Sequence, residues 1–229
     1  MDAVIEHIAC LRVVPIAIFD DPAKAVPLAH ALLAGGSNVV EISFRSPAAA
    51  ASVANIVAEV PEMFVGAGTL LSTEEISVAA SAGASFGIAP GFDPAVVKAA
   101  SGAGFPFVPG FLTPSNVTQA LSFGCEVQKF FPAEPIGPAV LTASLAAFSH
   151  KHNLKVIAAG GITPENIGRW LAVPHVIACG ASWICPQEMI EAEDWNGIAD
   201  RVRQMHAAAA QAVASAVPAA PAAPAAPAA

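Results

Sequence analysis

The sequence predicts a single (β/α)8 barrel, and three features of its 229 residues indicate that fold. Eight short runs rich in β-branched residues alternate with Ala-rich stretches that begin with helix-start signals. Most positions in the runs are apolar on both faces, which is typical of parallel strands that are buried between a core and covering helices. The chain length is also usual for one α/β barrel.

The predicted strands set the order of the elements. They cover residues 13–19, 38–44, 63–69, 85–91, 105–111, 126–132, 155–161 and 175–182. The alternative architecture is a doubly wound open sheet, which usually has fewer strands and a Gly-rich first turn. No G-x-G-x-x-G motif follows the first run, so the closed barrel is favoured.

Helices are predicted between these strands. They lie near residues 22–34, 47–59, 72–82, 93–103, 113–123, 137–150 and 163–172. Several begin with a polar residue and a proline, as in Asp93-Pro94 and Thr113-Pro114, which places an N-cap before a proline at the first helical position. Several end at a glycine, where the left-handed conformation that closes a helix costs little.

The two ends of the chain depart from the repeating pattern. Asp2–Leu11 is expected to form an amphipathic helix that caps the bottom of the barrel, and the last helical region is expected from residue 186 to about 213. The barrel domain is therefore assigned to residues 1–213. Residues 214–229 are assigned to a Pro/Ala-rich tail, because a proline at every third position favours an extended chain without a core.

Composition and charge exclude several function classes. Lys and Arg number 10 against 18 Asp and Glu, and they are scattered, so no nucleic-acid partner is expected. No run of about 18 strongly apolar residues occurs and the N-terminus lacks a basic start, so neither a membrane span nor a secretory signal is predicted. The four cysteines form no C-x-x-C pair, which favours reduced thiols in a cytoplasmic protein. The histidines lack metal-ligand spacing, so we expect no metal.

The second predicted strand carries a carboxylate into the barrel. Glu41, Ser43 and Arg45 alternate and share one face. Because Ile42 and Phe44 suit the helix-facing side, the polar face is expected to point into the barrel interior. A carboxylate there is costly unless it is paired or functional. A structural Glu41–Arg45 ion pair is the alternative to a functional role.

The sixth predicted strand carries an amine. Lys129 precedes Phe130 and Phe131 near the end of that strand. Lysine is rarely buried without a partner, and burial disfavours its charged form. A neutral amine is a nucleophile, which is the requirement for a Schiff-base lysine. The alternative is a lysine whose ammonium group extends to solvent.

Three further strand ends carry small or hydroxyl residues. Thr69 follows the third strand, Gly160 and Gly161 close the seventh, and Ser182 closes the eighth. In barrels of this kind the active site lies at the carboxyl ends of the strands, and phosphate binds at the loops after strands seven and eight. We therefore expect a phosphate site at the last two of these ends.

Seven segments, in this order, resemble one known family. They read E-I-S-F-R-S-P, V-G-A-G-T-L, A-P-G-F, V-P-G-F-L-T-P-S, V-Q-K-F-F-P-A-E, A-G-G-I-T-P-E-N and C-G-A-S-W, between about Val13 and Pro186. The chain resembles the 2-keto-3-deoxy-6-phosphogluconate aldolases, also called 4-hydroxy-2-oxoglutarate aldolases. The resemblance implies a class I aldolase on a (β/α)8 barrel, without metal or other cofactor, and typically a homotrimer.

The resemblance also implies roles for individual residues. Lys129 would form the Schiff base with the 2-keto carbon of the substrate, and Glu41 would be the general acid and base. Three residues would surround the pyruvyl part, namely Arg45 and Thr69 on its carboxylate and Phe131 beside it. Three others would hold the distal phosphate, namely Gly160, Gly161 and Ser182. The implied reaction cleaves 2-dehydro-3-deoxy-6-phosphogluconate to pyruvate and glyceraldehyde 3-phosphate.

Other functions stay open at this point. Ala159 and Ala181 stand where the family often has Thr and Gly, both near the phosphate end. A shorter substrate such as 4-hydroxy-2-oxoglutarate, or the 6-phosphogalactonate epimer, is therefore an alternative. A non-catalytic barrel that serves as an assembly scaffold is another, and the Pro/Ala tail is compatible with it. A phosphate-binding isomerase on the same fold would need a base but no interior lysine.

Overall fold

The computed structural model describes residues 2–151 and 153–216, so most of the predicted Pro/Ala tail lies outside the described residues. Nine strands are found in this part of the chain. They are β1 (Val13–Ala17), β2 (Val39–Ser43), β3 (Phe64–Gly68), β4 (Phe86–Ile88), β5 (Phe107–Val108), β6 (Gly110–Phe111), β7 (Val127–Phe130), β8 (Lys155–Ala159) and β9 (Val176–Ala181). Each lies within one of the eight predicted runs.

The strands form one parallel sheet that curves into a barrel. Its order is β5-β4-β3-β2-β1-β9-β8-β7-β6, with every pair parallel. Strands β5 and β6 are two halves of the fifth barrel strand, because β5 pairs with β4 whereas β6 pairs with β7. The ring therefore closes across this strand, and the predicted eight-stranded barrel is confirmed.

Pro109 interrupts the fifth barrel strand. Proline has no N–H to donate to a neighbouring strand, so the ladder breaks at that position. Its carbonyl still accepts a bond from the Lys129 N–H, at 2.9 Å, and the next N–H, of Gly110, donates to the Gly91 carbonyl, also at 2.9 Å. One strand thus contacts β4 with its first half and β7 with its second.

Helices lie between and beyond the strands. They are α1 (Asp2–Leu11), α2 (Ala25–Gly35), α3 (Ala49–Glu59), α4 (Thr73–Ser81), α5 (Pro94–Gly102), α6 (Pro114–Ser122), α7 (Ala133–Ile136), α8 (Pro138–Ala146), α9 (Ile167–Leu171), α10 (Gln187–Glu191) and α11 (Trp195–Ala216), with a 3-10 turn at Pro22–Lys24. The predicted N-caps at Asp93 and Thr113 are confirmed, since both side chains accept bonds from backbone N–H groups of the first turn.

Several helix boundaries differ from the sequence expectation. The short helix α7 was not expected, and α9 begins four residues late because the Asn166 carboxamide accepts the Thr163 N–H and closes a turn first. The predicted region 186–213 is two helices rather than one. The second of them starts where the Asp194 carboxylate accepts the Gly197 N–H, and it continues to Ala216.

The barrel interior is closed at the amino ends of its strands. Ile5 and Ile8 of α1 are buried there and pack with residues that begin or line the strands, among them Val14, Val39 and Val127. The expectation that the first helix caps the bottom of the barrel is therefore confirmed. The opposite end, at the carboxyl ends of the strands, is left for a binding site. None of the described helices is both long and apolar enough to cross a membrane.

Helices α2 and α11 are closely packed at Gly35. A Cβ added there would lie 2.5 Å from Val202 Cβ and 2.8 Å from the Ala199 carbonyl oxygen. We expect Gly35→Ala to lower the free energy of unfolding by about 1–3 kcal/mol, because the packed interface has no room for the methyl group. Chemical denaturation measures this change.

The matched control is Gly102→Ala at the last residue of α5, where an added Cβ meets nothing within 4 Å. This variant is expected to be unchanged, or more stable by about 0.4–1 kcal/mol, because the unfolded chain loses conformational freedom. Equal destabilisation by both substitutions would contradict the packing argument.

Candidate active site

The predicted amine and carboxylate meet inside the barrel. Lys129 of β7 donates from Nζ to Oε1 of Glu41 in β2, at 3.1 Å. The side chains are only 6% and 3% exposed, so the lysine does not extend to solvent. Glu41 is paired with this amine and not with Arg45, which removes the structural ion pair considered as the alternative. The two residues are 88 positions apart and are joined only by the fold.

Small residues on β3 make the space for this pair. Strand β3 lies beside β2, with Glu41 opposite Gly66 and Ser43 opposite Gly68. A Cβ added at Gly68 would collide with the Glu41 carboxylate. Gly68 therefore leaves the space that the Glu41 carboxylate occupies beside the amine.

A hydroxyl and guanidinium network lies above the pair, at the mouth of the barrel. The Ser43 and Thr69 hydroxyl oxygens are 3.0 Å apart and hydrogen-bonded, and Arg45 Nε donates to Ser43 Oγ at 3.1 Å. Thr69 holds a φ of 60°, an uncommon conformation for a residue of this type. Among the described residues no carboxylate pairs with Arg45, so its forked guanidinium is available for an anionic ligand.

Phe131 stands beside the amine at the same end of the barrel. Its ring centroid is 5.6 Å from Lys129 Nζ, and the residue is 38% exposed. The ring also lies against the end of β8, since a Cβ added at Gly160 would be 3.2 Å from it. Phe131 thus forms an apolar wall between the amine and the glycine turn that follows β8.

Gly160 and Gly161 form a turn that requires glycine at both positions. Their φ angles are 102° and 77°, in the left-handed region that other residues avoid. The Gly160 carbonyl accepts the Glu134 N–H at 2.9 Å, and the Gly161 carbonyl accepts Asn166 Nδ2 at 2.8 Å. Both carbonyl oxygens are thus bonded to neighbours, and the backbone N–H groups of a turn of this kind suit an anion.

One cavity of about 530 Å³ contains three of the predicted binding residues, Arg45, Gly161 and Ser182. Arg45 connects the two parts of the site, because it lines this cavity and is bonded to Ser43 beside Thr69. A larger cavity, of about 620 Å³, lies at the opposite end, lined by strand-starting residues such as Phe107 and Lys155. It contains none of the residues predicted for the site.

Sequence reasoning gave no role to Glu134, a residue of α7 whose N–H donates to the Gly160 carbonyl of the glycine turn. Trp170 Nε1 donates to its Oε2 at 3.0 Å, and Arg169 forms an ion pair with its Oε1. These bonds, first from Trp170 and then from Arg169, lower the pKa of the Glu134 carboxyl. No sequence pattern links residues 35 positions apart. The alternation with Glu41 correctly placed Ser43 on the inward face of its strand. It did not predict the hydrogen bonds of Ser43 with Thr69 and Arg45.

In the described part of the chain, the side chains that could bind a metal ion are dispersed. Its His, Cys, Asp and Glu side chains do not come together in groups of three that could hold a metal ion. Burial raises the pKa of the Cys179 and Cys185 thiols, which disfavours their reactive thiolate forms. The Lys129 amine, by contrast, is held inside the barrel next to a carboxylate that can accept its proton.

Comparison with known proteins agrees with this geometry. The family model of KDPG and KHG aldolases matches residues 4–201. The 2-dehydro-3-deoxy-phosphogluconate aldolase of Treponema pallidum is 38% identical over 199 residues, which cover 86% of this chain and 93% of that protein.

Two solved structures are similar in fold and sequence. The KDPG aldolase of Legionella pneumophila, with pyruvate captured as a covalent carbinolamine intermediate, has a TM-score of 0.83 at 31% identity, covering 88% of this chain and 97% of that one. The Zymomonas mobilis aldolase with 3-phosphoglycerate has a TM-score of 0.81 at 33% identity, covering 89% and 95%. By sequence, fold and the match of the family model, the chain belongs to the KDPG and KHG aldolase family.

Proposed function

We propose that this protein is a class I aldolase that cleaves 2-dehydro-3-deoxy-6-phosphogluconate to pyruvate and glyceraldehyde 3-phosphate through a Schiff base on Lys129. The observation that carries the proposal is the buried contact of 3.1 Å between Lys129 Nζ and Glu41 Oε1. The relatives that bear this activity in their names support the substrate, and the covalent pyruvate adduct of the Legionella enzyme supports the chemistry.

The first step forms the covalent intermediate. The Lys129 ammonium passes a proton to Glu41 along their hydrogen bond, and the neutral amine attacks the C2 carbonyl of the substrate. A proton moves from the nitrogen to the oxygen to give the carbinolamine. Its hydroxyl then takes a proton from Glu41 and leaves as water, while the carbon stays bonded to the Lys129 nitrogen. The product is an iminium ion, which can accept an electron pair from the C3–C4 bond.

The second step breaks the carbon–carbon bond. Glu41, now ionised, removes the proton from the C4 hydroxyl, and the C3–C4 electrons move to the iminium nitrogen. Glyceraldehyde 3-phosphate leaves as the aldehyde, and the enamine of pyruvate remains on Lys129. Glu41 returns its proton to C3, and water then hydrolyses the iminium to release pyruvate and the amine. Correctly placed general catalysis of this type contributes about 10²–10⁴-fold.

The remaining residues hold the substrate at its two charged ends. Arg45 binds the carboxylate with its guanidinium and Thr69 contributes its hydroxyl, while Phe131 packs beside the pyruvyl part. The Gly160–Gly161 turn and Ser182 bind the distal phosphate. The shared cavity that contains Arg45, Gly161 and Ser182 supports a substrate with an anion at each end. A dicarboxylate such as 4-hydroxy-2-oxoglutarate, or the 6-phosphogalactonate epimer, satisfies the same arrangement.

Two functions of other classes are disfavoured by the Lys129–Glu41 pair. A phosphate-binding isomerase needs a base but gains nothing from an interior amine. A scaffold gains nothing from a buried pair of charges, since an apolar pair of similar volume is often as stable or more stable.

We also propose a homotrimer located in the cytoplasm. Leu71 and Leu112, in the loops that follow β3 and β6, are 60% and 38% exposed, which suits apolar surface that an interface would cover. The four cysteines are free thiols, as expected in a reducing compartment.

We expect borohydride reduction in the presence of pyruvate to attach a 1-carboxyethyl group to the Lys129 nitrogen, as a secondary amine. The reduced Schiff base is stable, so peptide mass spectrometry locates it. Lys129→Arg keeps a cation beside Glu41 and removes the nucleophile, so it is the matched control and takes up no label. Labelling of another lysine, or full turnover by Lys129→Arg, would overturn the mechanism.

Glu41→Gln is expected to lower kcat by about 10²–10⁴-fold, because the amide cannot carry protons. The variant keeps the volume and the oxygen that Lys129 contacts, so thermal unfolding is expected to stay cooperative. A coupled assay that follows pyruvate release gives kcat. A near-normal rate would remove Glu41 from the proton relay.

Sedimentation velocity of the full chain is expected to give about three times the mass of 23.1 kDa. Leu71→Glu with Leu112→Glu is expected to shift the mass toward one chain, because two carboxylates in an apolar contact are costly to bury. A single-chain mass of the unaltered protein would refute the trimer.

A further inference from the structure

Glu134 joins the strand of the reactive lysine to the glycine turn at the far end of the site. It lies in α7, five residues beyond Lys129. Its N–H donates to the Gly160 carbonyl at 2.9 Å, which attaches the segment after β7 to the end of β8. Its side chain then continues past the turn toward α9.

The carboxylate of Glu134 is held on both oxygens. Oε2 accepts Trp170 Nε1 at 3.0 Å, and Oε1 is paired with Arg169. Trp170 is fully buried, and its ring lies 6.1 Å from that of Phe130, the residue next to Lys129. The side chain is therefore anchored to a rigid part of the core.

The turn is fitted closely around this anchored side chain. A Cβ added at Gly161 would be 2.6 Å from Glu134 Cβ, so the turn and the side chain touch without spare volume. On the other side, Asn166 Nδ2 holds the Gly161 carbonyl at 2.8 Å, and Asn166 Oδ1 accepts the Thr163 N–H at 2.9 Å. A shift of Glu134 would move the backbone N–H groups of the turn.

The negative charge of Glu134 is neutralised locally by Arg169. Arg169 carries the opposite charge in direct contact, so the pair adds little net repulsion toward an anion at the turn. A bare carboxylate in this place would oppose phosphate binding. The ion pair thus allows an acidic residue to serve a site for anions.

We propose that Glu134 is a positioning residue for the distal phosphate, acting through the Gly160–Gly161 turn. This inference rests on the proposed function, because it assigns the phosphate of that substrate to the turn. Glu134 touches neither the substrate nor the reacting atoms. Its removal changes how well the turn binds phosphate and leaves the chemistry at Lys129 intact.

The experiment compares two substrates in steady-state assays. One is the 6-phosphorylated 2-keto-3-deoxy sugar acid, and the other is 4-hydroxy-2-oxobutyrate, which has the same reactive end and no distal anion. Glu134→Ala is expected to raise KM for the phosphorylated substrate about tenfold or more, the scale of losing a hydrogen bond to a charged group. We expect kcat for the phosphorylated substrate to stay within about twofold of the wild-type value. The same holds for kcat and KM with the short substrate and for the extent of borohydride labelling of Lys129.

Glu165→Gln is the matched control. Glu165 is an exposed carboxylate in the loop after the turn and is hydrogen-bonded to Thr163. Its substitution is expected to leave kcat and KM for both substrates unchanged. Glu134→Gln keeps the volume and one acceptor and is expected to fall between the wild type and Glu134→Ala. If Glu134→Ala does not fold, Arg169→Met removes the same ion pair from its other partner, with Arg203→Met, also an exposed ion-paired arginine, as control.

Three outcomes decide the proposal. An unchanged KM for the phosphorylated substrate overturns it, and so does an equal loss with both substrates, which indicates a general structural role. If the unaltered protein cleaves neither substrate, the proposed function fails. Calorimetric binding of inorganic phosphate then decides the inference separately, because weaker binding in Glu134→Ala but not in Glu165→Gln supports it and equal binding overturns it.

Discussion

The barrel interior is organised around one buried ion pair, that of Lys129 and Glu41. Two charges removed from water are costly, and their attraction repays that cost only with good geometry. The structure provides it with a contact of 3.1 Å, and Gly68 leaves space that any larger residue would take from the carboxylate. Removing either partner would leave an uncompensated charge in a dry site. The pair is therefore costly as a structural element, which supports the catalytic role proposed for it.

The rest of the site follows from where parallel strands end. Strands β2, β3, β7, β8 and β9 bring their carboxyl ends to one rim, so residues far apart in the chain surround the pair. Arg45 and the Ser43–Thr69 hydroxyls lie on one side of it, and the Gly160–Gly161 turn lies on the other beyond Phe131. The opposite rim is filled by Ile5 and Ile8 of the first helix. One end of the barrel therefore serves stability and the other serves binding.

The closure of the ring at Pro109 shows how a local break can serve the whole fold. A proline within the fifth barrel strand divides it into β5 and β6, and each half pairs with a different neighbour. The Pro109 carbonyl accepts the Lys129 N–H, so the backbone of Lys129 is held by the strand that closes the barrel. The interruption at Pro109 thus lies directly beside β7, the strand that contains Lys129.

Local chemistry was sufficient to predict the eight strands, most helix starts and the residues at the rim. Periodicity, N-caps and glycine are short-range signals, and in Glu41, Ser43 and Arg45 the alternation alone identified the inward face. Local patterns alone did not predict which charges pair, because Lys129 and Glu41 are 88 residues apart and Glu134 and Arg169 are 35 apart. Only the family resemblance placed Lys129 and Glu41 in one site, and it gave no partner for Glu134. Local patterns also did not reveal the division of the last helical region at Asp194, where a side-chain cap overrides a continuous helical pattern. Partners of this kind depend on strand order and on the space between packed side chains, and these exist only once the chain has folded.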